Sequence, residues 1–456
     1  MAFLNYLGSL LFTSDRAKAL RHWQFTEPGW EIKTTNGSTK TLGPEFVQLK
    51  IDILSQYGVE NVRKAWLEVT SALEKEVSEI KKLGSSAWPE VQFDDVQNGS
   101  ISAEKHSEIR KRGIVVVRNV FPEEQARGWH AQLKEYLNEN PDILTVRSHT
   151  NSFTVQRFLN ELWDGYGDLS NASPFPLSYA DALRHRQPGG FSPVVQPHID
   201  AGSLDRWADE DYRAAYAQIF SGHPLEHNGY DIEARRSARQ DTFPGPQQSS
   251  VLRSFQGWTA LSPQGGGFGK SALAVFPHNQ LGIAYILLRP FFQPPADGSL
   301  DPARWELDVS DQFLGSAKGE SQKVRPATHP HLQLHDTLAL APQINPGDLV
   351  FWHCDTVHAV DPSLTSPEPA TVLYIAAVPT TEHNLQYLKG QRDALLDNGK
   401  TPPDFQRWFE QHEGVAKGWK AAKDIVPPSA LSSFGLAKLP GDEGIIRRAN
   451  EILELE

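Results

Sequence analysis

Pro346-Gly347-Asp348-Leu349-Val350-Phe351-Trp352-His353-Cys354-Asp355-Thr356-Val357-His358 is a tight turn, an apolar run and a short polar segment closed by a histidine. A Pro-Gly-Asp turn ahead of four large apolar residues predicts a buried strand, and His358 falls where that strand would reach the far end of its sheet. Other short β-rich runs, separated by Gly and Pro, lie on the amino-terminal side and just beyond. They are Val194-Val195, Trp258-Thr259-Ala260-Leu261, Leu273-Ala274-Val275-Phe276, Ile283 to Leu288 and Val372 to Val378. Such spacing from about Ser178 to Pro379 predicts an antiparallel sandwich or jelly roll.

Ahead of this region the texture is helical. From about Val59 to Leu83, Val62, Trp66, Val69, Leu73, Val77 and Ile80 recur at helical spacing with charged residues between them. A second helical stretch, Ser102 to Lys111, leads through Gly113 into the short buried strand Ile114 to Val117, and Pro122 opens a further helix. The charge-rich segment Arg206 to Gln248 reads as a partly helical insertion, and Pro402-Pro403-Asp404-Phe405 starts a helical tail ending in Ile445 to Leu455. The expected organisation is a helical extension over 1–100, a β core over 101–390 with an insertion near 206–248, and a helical tail over 391–456.

Composition narrows the function. The chain has 456 residues, 39% hydrophobic, with 12 Trp, 22 Phe and 11 Tyr, which describes a globular protein with ample core. Its formal net charge of -12, without a long basic run, argues against nucleic acid as partner. Cys354 is the only cysteine, so an intrachain disulfide or Cys-rich metal site is excluded and a reducing, cytoplasmic setting is expected. The apolar opening segment lacks a basic n-region and is interrupted by Asp15, Arg16 and Lys18, so no membrane partner is expected. A small polar substrate is the expected partner, with the chain a monomer or a homodimer.

His198-Ile199-Asp200 supplies the chemistry. Side chains two apart on a strand point the same way, so one metal can meet both His198 and Asp200. A lone His-x-Asp triplet is weak evidence, since His353-Cys354-Asp355 is another. Context helps: His198 follows Pro188-Gly189-Gly190 and precedes the Gly202 break, and so sits at a strand end. His353 and His358 have odd separation, so an unbroken strand places them on opposite faces, and His358 is favoured as the third ligand. Two imidazoles and one carboxylate form the facial triad of non-haem Fe(II) oxygenases.

Arg186-Gln187-Pro188-Gly189-Gly190, Pro197 to Ser203, Phe255 to Leu261, Pro346-Gly347-Asp348, Phe351 to Asp355 and His358-Ala359-Val360 together resemble the YbiU-type family of the Fe(II)/2-oxoglutarate oxygenase superfamily. That family includes fungal enzymes that oxidatively cyclise L-valine to an aziridine. The resemblance spans about Ile101 to Phe405. It implies a mainly β core with α extensions, a cupin-like double-stranded β-helix flanked by N- and C-terminal helices. It also implies His198, Asp200 and His358 as catalytic iron ligands, with Fe(II), 2-oxoglutarate and O2 as cofactors and ascorbate as a reductant. The implied activity is a dioxygenase of amino acid oxidation in secondary metabolism, hydroxylating or cyclising a small polar substrate such as L-valine.

One departure matters. Many relatives in the superfamily hold the distal carboxylate of 2-oxoglutarate with an Arg shortly after the second ligand His, and Asp361 to Thr371 contains neither Arg nor Lys. Within the expected core the substitutes rank Arg253, Arg289, then Lys270, an arginine fork being the better carboxylate grip. For substrate contact the candidates are Gln196, Trp258, Gln256 and Arg147. The missing Arg keeps open a catalytically inactive β-helix that binds a small ligand, and the same three ligands also suit catalytic zinc.

Overall fold

The computed structural model describes residues 42–139, 148–189, 196–245, 248–361, 363–397, 402–404, 426–442 and 444–455. Two main sheets form its centre. The larger runs in the order β1 (Glu90–Gln92), β2 (Ile114–Arg118), β12 (Leu349–His353), β6 (Phe255–Ala260), β14 (Ala370–Ala377), β4 (Leu183–Arg186) and is antiparallel except at β1–β2. The smaller runs β10 (Gln322–Lys323), β5 (His198–Ile199), β13 (His358–Val360), β7 (Leu273–Val275), β11 (Ala339–Leu340), antiparallel throughout. Two-stranded pairs, β3 (Ala172–Pro176) with β15 (Pro379–Thr381) and β8 (Phe292–Gln293) with β9 (Glu306–Leu307), lie outside them.

Alternation along β12 decides the layering. Val350 and Trp352 share an apolar cluster with Trp258 and Val372 of the larger sheet and Leu273, Val275 and Ala339 of the smaller, so the sheets pack face to face. Leu349 and Phe351 point the other way and bury against Val155, Phe158 and Leu159 of the helix Thr150–Glu161. With both faces covered, β2, β12 and β14 read as continuous apolar runs. The outer face of the smaller sheet, with Ile199, Ala274 and Ala359, packs into the cluster that holds the helices Val59–Leu83 and Asn279–Leu288. There Trp66 is fully buried and stacked on Tyr285 and Phe292, ring centroids 5.5 and 4.7 Å away.

Close packing also fixes one glycine. A Cβ on Gly257 of β6 would lie 2.3 Å from the Phe351 ring and 2.5 Å from the Val350 carbonyl, so no side chain fits there.

One expectation, the strand at Ile283 to Leu288, needs correction. The described residues form a mixed α/β arrangement of several sheets without a closed barrel, and helix is interleaved with strand along the chain. Ile283 to Leu288, expected as a strand, belongs to the helix Asn279–Leu288, which His278 caps by accepting from the Leu281 N–H. That helix is buried nearly all round, so no polar stripe reveals its period and the run imitates a buried strand. Of the predicted tail, Gly444–Ile452 is helical, while 405–425, like Val194, Val195 and the opening segment, lie outside the described residues. The segment 206–248 carries short helices, Glu210–Ala214, Ala217–Phe220 and Ile232–Arg235 among them. No helix among the described residues is long and apolar enough to cross a membrane.

Candidate metal centre

The chain leaves the larger sheet at His353, turns through Cys354 to Val357 and enters the smaller sheet at His358. This crossing, more than strand alternation, separates the two histidines. His358 is the direct cross-strand partner of His198, and their rings lie 4.2 Å apart. Asp200 follows β5 at a turn where Ala201 and Gly202 adopt positive φ, 62° and 90°. Its carboxylate meets both imidazoles: Oδ1 is 3.5 Å from His198 Nε2, and Oδ2 is 3.4 Å from His358 Nε2. The three ligand atoms all lie within 4.8 Å of one another.

Hydrogen bonding sets which atoms face inward. His198 Nδ1 donates to the Gln196 carbonyl at 2.6 Å and His358 Nδ1 to the Thr356 carbonyl at 3.0 Å. Each Nε2 therefore presents a lone pair, the arrangement by which an outer carbonyl orients a metal-binding imidazole. Burial, reinforced by His358, lowers the His198 pKa to about 4, so the ring is neutral at physiological pH. Burial opposes ionisation of Asp200, and the nearby Arg253 charge favours it. Two lone pairs and a carboxylate converge with no donor between them. A divalent cation fits that donor set, and Fe(II) matches its two-His, one-carboxylate composition.

A cavity of about 300 Å³ opens on these residues, between the sheets. That volume is at the small end of the roughly 300–1,000 Å³ of small-molecule sites. Gln256, Trp258, Trp352, Val372 and Tyr374 line it from the larger sheet, and Leu273 and Val360 from the smaller. Asp181, Arg184, Arg253, Gln264 and Ser271 complete its polar lining. Arg184 Nη2, Arg253 Nε and Gln256 Nε2 are buried donors with no hydrogen-bond partner among the described residues. Unmet buried donors are costly, and three around one cavity suit a carboxylate-bearing ligand such as 2-oxoglutarate.

The predicted binding residues separate accordingly. Arg253, Gln256 and Trp258 line the cavity, with Gln256 Oε1 accepting from Trp352 Nε1 at 2.8 Å. Gln196 contributes its carbonyl to His198. Arg289 lies away from the cavity: its Nε donates to Thr328 O, its Nη1 to Phe292 O, and its guanidinium sits 4.7 Å above the Trp305 ring. Lys270 is exposed and does not line the cavity. Arg147 lies outside the described residues. Sequence reasoning missed Asp181, Arg184 and Tyr374; the signal was the same-face pair Arg184 and Arg186 on a short strand ahead of His198.

Among the described residues, His353, Cys354 and Asp355 form the other group of potential ligands whose atoms lie within 4.8 Å. Here the lone pairs are taken. His353 Nε2 donates to Gly229 O at 3.1 Å, and its Nδ1 accepts from Asn279 and from the Asp355 N–H. Asp355 accepts from Arg235 at 2.7 Å and from Tyr216 at 2.9 Å. Each strong acceptor of the group already has a donor, so it is satisfied without a cation.

The profile of the Gig2-like family matches residues 40–146 and 141–436. The chain belongs to the Gig2-like family. YbiU of Escherichia coli K12 is 29% identical over 395 residues, covering 79% of this chain and 89% of YbiU. The solved structure of GlcNAc Inducible Gene 2 from Candida albicans superimposes with a TM-score of 0.82 at 26% identity, over 91% of this chain and 96% of that one. A Salmonella typhimurium LT2 protein provisionally described as an oxidoreductase gives a TM-score of 0.74 at 28% identity, over 86% and 97%. The kinship expected from sequence thus holds at the level of this Gig2-like family with its YbiU relative.

Proposed function

We propose that this Gig2-like chain is a non-haem Fe(II)- and 2-oxoglutarate-dependent oxygenase that oxidises a C–H bond of a small zwitterionic amino acid, its two facing sheets serving as the double-stranded β-helix. The convergence of two imidazole lone pairs and the Asp200 carboxylate on a cavity with unmet arginine donors carries this reading. His198, Asp200 and His358 would hold the iron, which with 2-oxoglutarate and O2 supplies the oxidising equivalent and releases succinate and CO2. Arg253, whose charge is felt at Asp200, is the first choice for the distal carboxylate of 2-oxoglutarate, in place of the Arg missing after His358.

Charge then narrows the substrate. Arg184 and Arg253 balance Asp181 and Asp200 in the cavity lining, and a divalent iron is balanced by the 2-oxoglutarate dianion. A substrate that keeps the enclosed site neutral carries no net charge. An α-amino acid meets this, its carboxylate facing Arg184 and its ammonium Asp181, while Trp258, Val360 and Val372 offer apolar contact to an aliphatic side chain. L-valine is the first candidate, and hydroxylation or ring closure to an aziridine are the candidate outcomes.

Anaerobic titration with Fe(II) and then 2-oxoglutarate should produce the weak visible charge-transfer band of a chelated keto acid, absent in His358→Ala. Valine-triggered succinate release in air then tests the substrate. Iron binding without the band would overturn the cosubstrate and favour a small-ligand-binding protein, the reading that the missing Arg supports.

A further inference from the structure

We infer that Arg206, Tyr212, Arg235 and Asp355 are positioning residues, a buried polar frame that sets the Asp200 turn against the His358 segment. The inference rests on the triad being a metal centre. β5 has two residues and pairs with β13 only at His198 and His358, so the sheet ladder alone constrains the site thinly. Asp200 lies beyond it, in a turn whose Ala201 takes the left-handed conformation without glycine's freedom. Something must hold that turn.

Three successive carbonyls of the turn are gripped from below. Arg206 Nη2 donates to Asp200 O at 2.6 Å, Tyr212 Oη to Ala201 O at 2.7 Å, and Arg206 Nη1 to Gly202 O at 2.5 Å. The Tyr212 hydroxyl in turn accepts from Arg235 Nη2 at 3.3 Å. Through Nη1, Arg235 reaches Asp355 at 2.7 Å and the Tyr216 hydroxyl at 3.0 Å, and Tyr216 closes the ring by donating to Asp355 at 2.9 Å. Asp355 stands in the crossing segment that delivers His358. Arg206, Tyr212 and Asp355 are 0% exposed and Arg235 3%, so none of these bonds is shared with bulk water. A fork on two carbonyls and a fixed hydroxyl on the third leave the Asp200 side chain little freedom relative to His358.

The test is Co(II) binding, followed by its visible absorption, in wild type, Tyr212→Phe, Arg206→Lys and Tyr285→Phe. Tyr285 supplies a comparison, because its buried hydroxyl pairs with His331 at 3.0 Å in the helical cluster, with no hydrogen bond to a ligand segment among the described residues. Tyr212→Phe and Arg206→Lys should weaken Co(II) binding roughly 10- to 100-fold and change the band pattern, at a temperature where each is folded. Tyr285→Phe should lose comparable stability with wild-type affinity and spectrum. Wild-type affinity and spectrum in a folded Tyr212→Phe or Arg206→Lys, or equal weakening in Tyr285→Phe, would overturn the positioning role. No Co(II) binding by wild type would instead remove the metal reading on which it rests.

Discussion

His198-Asp200-His358 and His353-Cys354-Asp355 each bring three potential ligands within 4.8 Å, and both contain a His-x-Asp triplet. In the second group every strong acceptor is matched by a donor from Arg235, Tyr216, Asn279 or the backbone, so it functions as a strut. In the first, the outer ring nitrogens are spent on carbonyls and the inner lone pairs face only each other and a carboxylate. Proximity does not distinguish a metal site from a buried polar knot; the balance of donors and acceptors does.

The sharpest way to break this contrast is to cross it. Asp200→Ala should abolish Fe(II) binding in a calorimetric titration while leaving the metal-free protein as stable as before, or more so, because a carboxylate crowded by lone pairs is relieved. Asp355→Ala should lower metal-free stability by about 3–5 kcal/mol in urea unfolding, since it strands the Arg235 charge in the interior. If Asp200→Ala unfolds and Asp355→Ala does not, the assignments are reversed. Next in size, Arg253→Met should lose a charged hydrogen-bond donor worth about 1.5–3 kcal/mol, raising the KM for 2-oxoglutarate about tenfold or more. An unchanged KM would transfer that role to Arg184.

A subtler difference is expected from acid. Burial lowers the His353 pKa to about 3, from an ordinary value of 6.5. The unfolded chain therefore binds the proton more readily, so the contribution of His353 to stability is complete above pH 6.5 and is lost as pH falls toward 3. His353→Gln should flatten the fall in unfolding midpoint between pH 7 and pH 4; a parallel fall would mean that the ring is charged in the fold. Smallest of all, Lys270→Ala should change stability by less than about 0.5 kcal/mol and leave cosubstrate affinity untouched, as befits an exposed side chain.

What the sequence disclosed follows physical lines. β12 was legible because a Pro-Gly-Asp turn and an apolar run are both local signals, and the helix Val59–Leu83 because one of its faces is polar. The helix Asn279–Leu288 was misread for want of such a face. The convergence of His198, Asp200 and His358 could be anticipated because a metal demands particular residue types. Arg184 depends on β4 pairing with β14, and the frame of Arg206, Tyr212 and Arg235 on charges buried within a stretch that looks solvent-loving. Long-range partners and buried charges leave no local periodicity to read.

Gly257 has a consequence for redesign. Its missing side chain would point away from the cavity, into the Phe351 ring, so β6 can reshape the cavity wall only through Gln256 and Trp258. Attempts to reshape the site can also begin on the edge strand with Arg184 and at Asp181, where side chains are only partly buried. A library at Gly257 would mostly return unfolded protein.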